Sequence, residues 1–311
     1  MEITAKLVKE LRDMTGCGML DSKKALEASD GDMDKAVEYL RKKGLAGAEK
    51  KAGRITAEGI VMSKISDDCK KGILVEVNSE TDFVAKNEKF RDYVSNVASQ
   101  AIKSYNGNLD SFMNEKWDLD NSKTVKEELS SQISIIGENI NIRRIDILEN
   151  KNGFIHDYIH GAGRIGVLVS IDTDVVNDKI KEMAKHVAMQ VASMRPRFVN
   201  DSELTEDFKK KEKEILFEEA KNSAKDKPDN IIMGMVEGRF NKHLKEICLV
   251  NQVFIMAPDG KQTVQAYVDE VAKANNAKIS IKAFLRYETG EGIEKRADDF
   301  AEEVKKQMGG V

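Results

Sequence analysis

Proline is nearly absent from this chain, with three residues in 311, and cysteine is as rare, at Cys17, Cys69 and Cys248. So little proline, with ordinary apolar content and about a third of residues charged, reads as a soluble, helix-rich protein rather than a disordered one. The cysteines are odd in number and none lies within metal-ligand spacing of another, which argues against a disulfide framework or a zinc site. Four histidines (His156, His160, His186 and His243) form no HExxH pattern. No apolar run approaches the ~18 residues that a membrane span needs, so no membrane partner is expected. The opening Met1-Glu2-Ile3-Thr4-Ala5-Lys6 resembles neither a signal nor a transit peptide. These features together predict a reducing, cytoplasmic setting. Excess positive charge is missing as well. A net charge of -4 and a pI of about 5.8 argue against direct nucleic-acid binding, which usually leaves a basic footprint.

Catalytic signatures are also lacking. There is no GxSxG, no phosphate-cradling GxxxxGK[ST] and no CxxC. Gly161-Ala162-Gly163-Arg164-Ile165-Gly166 is glycine-rich. It falls between two predicted strands rather than between a strand and a helix, so it reads as a hairpin turn and not as a dinucleotide site. His160 stands at the tip of that turn, isolated from acid–base partners but placed for a contact. No cofactor, no metal and no bond-making chemistry are expected.

What the chain does contain is a repeat. Displaced by 94 residues, 59–100 falls on 153–194 without a gap: Gly59 on Gly153, Gly72 on Gly166, Leu74 on Leu168, and Val97-Ala98-Ser99 on Val191-Ala192-Ser193. The copies part at one place. Thr81-Asp82-Phe83-Val84 meets Val175-Val176-Asn177-Asp178, so one copy carries an aromatic that the other lacks.

The predicted fold class is α+β, with a helical unit and linker over 1–54, a first core half over 55–150, and a second over 151–200 that resumes over 251–292. A helical hairpin is inserted over 201–250, and a C-terminal helical module covers 293–311. In the first unit, Thr4 is an expected N-cap, Thr15-Gly16-Cys17-Gly18 a turn, and Asp30-Gly31-Asp32 a break before a helix striped by Met33, Ala36, Val37 and Leu40. Gly44 is expected to end that helix, and Lys50-Lys51-Ala52-Gly53-Arg54 to be a solvated basic linker. Strands are predicted over 59–65, 72–77 and 141–148, with a helix striped by Phe90, Val94, Val97 and Ala101 covering them. The stretch 109–132 reads as polar and partly helical. The second half repeats the unit, with its third strand at 279–287 and a helix capped by Thr263. Leu204, Phe208 and Ile215 on one side, and Ile232, Met235, Val236 and Leu244 on the other, stripe the two helices of the hairpin.

Two places allow more than one reading. Met19 and Leu20, beside a glycine turn, suit either a thin bundle core or an exposed apolar loop for docking. At Thr81-Asp82-Phe83-Val84, Thr81 or Asp82 would cap a helix, and Phe83 would extend the Phe90–Val97 stripe. Against that, Lys86 and Asn87 fill the intervening turn. The alternative is an aromatic displayed at a strand–helix corner for insertion into a partner, since it has few rotamers and much area to bury.

Thr15-Gly16-Cys17-Gly18-Met19-Leu20-Asp21-Ser22-Lys23-Lys24-Ala25-Leu26 and Thr81-Asp82-Phe83-Val84-Ala85-Lys86 resemble the two signatures of the bacterial elongation factor Ts family. Further similar stretches are Lys50-Lys51-Ala52-Gly53, Gly137-Glu138-Asn139-Ile140-Asn141-Ile142-Arg143-Arg144, His160-Gly161-Ala162, Met235-Val236-Glu237-Gly238-Arg239 and Gly290-Glu291-Gly292-Ile293-Glu294-Lys295. They span nearly the whole chain in the family's order. The resemblance implies a guanine nucleotide exchange factor for elongation factor Tu, with a ubiquitin-associated-like N-terminal bundle, a duplicated core, a coiled-coil arm and a C-terminal helix. It implies that Phe83, positioned by Asp82, inserts between two helices of the GTPase domain and disturbs its Mg²⁺ region. It also implies that Arg12, Met19 and Leu20 grip another GTPase helix and that His160 lies near the GTPase's third domain. Here Cys17 and Leu20 occupy variable spots of the first signature. Gly163 stands where many members run directly from Ala to Arg-Ile-Gly. A homodimer and a two-to-two complex with the GTPase are both compatible with this resemblance. An RNA-binding module using Lys50–Arg54, or an adaptor acting through 1–44 alone, are the rival readings.

Overall fold

Three helices open the chain in the computed structural model, which describes residues 3–223 and 228–294. The expected helix within 293–311 lies outside the described residues from 295 onward. Thr4 caps α1 (Ala5–Thr15) by accepting from the Leu7 N–H, and Gly16, at φ +69°, closes it. Next come α2 (Met19–Ala28) and α3 (Met33–Lys51), the latter capped by Asp32. Val8, Leu11, Ala25, Leu26, Ala36 and Leu40 form their shared core. The expected stop at Gly44 is wrong. The helix runs through Gly44 and Gly47, so Lys50 and Lys51 are its last turn rather than a linker. A glycine inside a helix costs about 1 kcal/mol, but packing elsewhere on the helix offsets it. The surface this helix packs on lies some eighty residues further along the sequence and is invisible to a local reading.

The first half begins with β1 (Glu58–Ile65) and β2 (Lys71–Ser79), followed by the short α4 (Asp82–Lys86) and the long α5 (Glu88–Ser104). Phe90, Val94, Val97 and Ala101 on α5 are fully buried against Ile60, Ile73, Val75 and Val77, as the stripe predicts. The stretch read as polar and partly helical holds α6 (Leu109–Met113), a hairpin of β3 (Lys116–Trp117) and β4 (Asp120–Thr124), and α7 (Val125–Ile136). Phe112 and Trp117 are buried there. A two-residue strand offers no alternation to detect, which is why the hairpin escapes a reading by periodicity. α7 supplies the surface that carries α3 past Gly44. Gly44 lies against Ser130 and Ser134, Arg41 pairs with Glu127 at 2.5 Å, and Lys51 donates to the Ile133 carbonyl. The strand β5 (Ile140–Glu149) completes an antiparallel sheet in the order β1-β2-β5.

The second half rebuilds the same unit from β6 (Gly153–His160), β7 (Ile165–Thr173) and α8 (Asp178–Met194). The chain then leaves through α9 (Glu206–Ser223) and α10 (Asp229–Ile247), and returns by α11 (Val264–Ala274) to β8 (Ile279–Glu288). Its sheet has the order β6-β7-β8. The repeat holds in detail. The ladder shifts between Glu76 and Val77 in one half and between Ser170 and Ile171 in the other, 94 residues on. A Cβ on Gly59 would collide with the Val77 carbonyl, and one on Gly153 with that of Ile171. In the hairpin, Leu216 and Phe217 pack on Ala220, Ile232 and Val236. The expected stripe residue Ile215 is exposed instead, because the buried face is set one residue later along α9.

The two sheets meet face to face through Val61, Leu74, Ile155, Leu168 and Tyr287. The contact is close to two-fold. Gly72 receives Ile155, and Gly166 receives Val61, each residue 94 positions from its counterpart. Ser63 donates to Asp157, which is itself the counterpart of Ser63. Gly166→Ala is expected to cost about 1–3 kcal/mol by overpacking against Val61. Combining it with Val61→Ala should cost less than the sum of the two single changes. Strict additivity in chemical denaturation would contradict this packing.

Candidate functional site

The copies diverge structurally where they diverge in sequence. In the second half Asn177 caps α8, which then runs unbroken. In the first half Thr81 caps α4, and Asn87 ends that turn with extended backbone before capping α5 through the Lys89 and Phe90 N–H groups. One helical turn is thus folded out of line. Val84 and Ala85 anchor it in the core, while Asp82, Phe83 and Lys86 face outward. Phe83 is 80% exposed, so it does not extend the Phe90–Val97 stripe. Lys86 and Asn87 mark the interruption, as their polarity suggests.

The corner is held stiffly. Glu138 accepts from both the Thr81 N–H (3.0 Å) and the Thr81 hydroxyl (2.6 Å). With its proton committed there, the Thr81 oxygen uses a lone pair to accept from the Val84 N–H at 3.4 Å. Ser79 donates to the Thr81 carbonyl, and Glu80 accepts from the Asn139 N–H and from Arg54. Glu138 has no role that a residue-by-residue reading could assign, because 57 positions separate it from Thr81. It ends the turn after α7, the helix on which α3 rests, so the N-terminal bundle and the corner share a support. Asp82 pairs with Lys86 at 2.6 Å, and that hydrogen bond holds its carboxyl below the ordinary range. Both side chains are well exposed, and such pairs add little stability.

At the α1–α2 turn, Met19 (49%) and Leu20 (73%) are exposed, together with Met14 and with Arg12 in the last turn of α1. The bundle-core reading of Met19 and Leu20 is therefore wrong. The core is built from Leu11, Ala25 and Leu26 with their neighbours, and neither Met19 nor Leu20 is part of it. Met14 is not distinguished by its sequence position, because its spacing from Leu7 and Leu11 matches a buried stripe. His160 is exposed at the β6–β7 turn, as expected, with its Nδ1 2.9 Å from the Tyr158 hydroxyl.

The arrangement offers surfaces for contact: a rigid aromatic corner, an apolar loop and a histidine turn. Among the described residues no group of His, Cys, Asp or Glu side chains could hold a metal ion, and no helix is long and apolar enough to cross a membrane. Burial lifts the Cys248 thiol to about 11, with Asp201 and Glu203 adding to it. That thiol is therefore protonated and unreactive at neutral pH.

A family profile described as Elongation factor TS matches residues 80–291. The chain is 49% identical over 306 residues to the elongation factor Ts of Clostridium botulinum (strain Loch Maree / Type A3), covering 98% of both chains. It is 46% identical to that of Clostridium novyi (strain NT) and 48% identical to that of Clostridium tetani (strain Massachusetts / E88), in each case over 98% of this chain and 99% of the other. The chain belongs to the elongation factor Ts family.

Proposed function

We propose that this protein is a cytoplasmic guanine nucleotide exchange factor for elongation factor Tu, with Phe83 as its intruding group. The observation that carries this reading is the exposed aromatic on a backbone fixed by Thr81 and Glu138, in a chain of this family. An exposed phenylalanine wastes apolar area in the free protein and recovers it on insertion. Such insertion between helices of the GTPase domain would disturb the region that holds the nucleotide's Mg²⁺. The cation is among the largest local charges at such a site, so shifting its surroundings weakens GDP binding strongly. No bond is made or broken. The factor binds the nucleotide-free GTPase more tightly than the loaded one, and linkage makes nucleotide expel the factor by the same ratio.

On this reading the chain divides its labour along the boundaries 1–54, 55–150, 151–200 with 251–292, 201–250 and 293–311. The first half carries the Thr81-Asp82-Phe83-Val84 corner. The second offers His160. The N-terminal bundle, taken as ubiquitin-associated-like, presents Arg12, Met19 and Leu20 to a further GTPase helix. The α9–α10 pair is the coiled-coil arm. Exposure at the α1–α2 turn supports Met19 as a docking residue. Met19→Asp is expected to raise the dissociation constant for elongation factor Tu roughly tenfold or more, the effect of an anchor lost from an interface. Titration calorimetry checks this, and unchanged affinity would take Met19 out of the interface.

A further inference from the structure

The turn that carries His160 is braced from three directions. Beneath it, Gly163 is buried at φ +107°, and a Cβ there would come within 3.0 Å of Ile60 Cβ and 3.2 Å of the Val61 carbonyl. The turn thus rests on β1 of the opposite half. From the end of β8, the Thr289 N–H donates to the Arg164 carbonyl (2.9 Å) and the Thr289 hydroxyl donates to that of Gly163 (3.0 Å). From the first half, Arg91 Nη1 donates to the Ala162 carbonyl at 2.8 Å. Ala162 itself sits at φ +56°, a conformation that a residue with a Cβ adopts at some cost. Such a turn keeps one shape only where its surroundings hold it.

Arg91 comes from a telling place. It is the fourth residue of α5, its N–H bonds back to the Asn87 carbonyl, and Asn87 is the break that displays Phe83. Its neighbour Phe90 is fully buried and fixes that end of the helix to the core. The guanidinium therefore spans from the foundation of the Phe83 corner to the backbone of the His160 turn. The residue 94 positions later, Lys185, lies inside α8, so the bridge belongs to the copy that carries the corner.

We propose that Arg91 is a positioning residue that fixes the His160 turn relative to the Phe83 corner, so that one rigid body meets the GTPase at two places at once. This rests on the exchange-factor reading. Two contacts at a preset spacing bind together with little further ordering cost, whereas a loosened turn must be ordered at each encounter. The Arg91 guanidinium donates to the turn backbone, while the Phe83 corner is held by Thr81, Glu138 and Asn87. Loss of Arg91 should act on engagement and leave the step driven by Phe83 intact.

The test measures GDP release from elongation factor Tu as a function of factor concentration for the wild type, Arg91→Ala, His160→Ala and the double variant. Arg91→Ala is expected to raise the half-saturating concentration roughly fivefold while the maximal release rate stays within twofold. In the His160→Ala background the same change should add nothing, because the turn then has no contact to position. Wild-type behaviour of Arg91→Ala overturns the proposal, as does an effect that persists undiminished without His160 or a fall in maximal rate alone. A wild-type protein that does not accelerate release overturns the exchange reading and this one together. Acceleration with an independent Arg91 effect overturns only the role of Arg91.

Discussion

Phe83→Ala is expected to slow factor-stimulated GDP release by about 30-fold or more, the size of effect that follows truncation of a central aromatic anchor. The fold should survive the change. Phe83 is 80% exposed and is not part of the core that Val84 and Ala85 join. Its corner is held by Thr81, Glu138 and Asn87, none of which the substitution alters. Thermal unfolding should therefore be nearly unchanged while exchange falls. Stopped-flow release of a fluorescent GDP analogue reads the effect, and an unaltered rate would remove Phe83 from the mechanism. The contrast with Met19→Asp is informative. Loss of the wedge should lower the saturated rate, whereas loss of the docking anchor should lower affinity.

Glu76→Ala should bring the largest loss of stability, about 3–5 kcal/mol. Glu76 is a buried carboxylate in the centre of β2. It accepts from Arg143 (3.0 Å), Arg144 (2.5 Å), the Asn78 amide (3.0 Å) and the Gly290 N–H (2.8 Å). Arg144 also stacks over the Tyr287 ring, and Tyr287 donates to Asp146. One carboxylate thus ties the third strand of the first half to the end of β8 in the second. Alanine would leave the buried Gly290 N–H without its acceptor and take one charged bond from each of two guanidinium groups, the costly way to break a buried pair. Equilibrium denaturation measures the loss, and a change below about 1 kcal/mol would show the network to be ornamental.

The same group gives a pH dependence of defined sign. Burial pushes its carboxyl up, but the Gly290 N–H, the Asn78 amide and Arg144 outweigh burial and hold it below the ordinary range. A depressed folded value means that the folded state favours the charged form. The stabilisation is complete above the unfolded carboxyl value of about 4.3 and is lost as the pH falls through the depressed folded value. Glu76→Gln should remove this acid-side component, leaving a flatter stability profile below about pH 4.5 than the wild type shows.

Glu76 also marks where sequence reading stops. In the chain it is one charged residue inside an apolar run, and nothing local distinguishes it from a solvent-facing strand position. Apart from Asn78, its partners lie 67, 68 and 214 residues away. Glu138 is hidden for the same reason, as is the continuation of α3 past Gly44, which depends on α7. What is legible is periodic or repeated. The α5 stripe, the Thr4 and Thr263 caps, the glycine turns and the third strands of both sheets follow from spacing alone. The repeat carries most weight, because the mismatch of Phe83 with Asn177 singles out the corner from the residues themselves. The fold adds why it is a corner: Asn87 interrupts the helix there, and α8 has no counterpart to that break. The exposure of Met19 and Leu20 is not legible, since an apolar pair beside a turn fits a core and a docking loop equally.

As an exchange factor, this chain should accelerate nucleotide exchange without being consumed. The most direct measurement is GDP release from purified elongation factor Tu, in excess free nucleotide, with this protein added well below stoichiometry. Complete exchange is expected, at a rate that rises in proportion to the trace of factor added, because bound nucleotide expels the factor for another round. Release at the spontaneous rate, or a burst limited to the amount of factor present, would contradict the exchange reading.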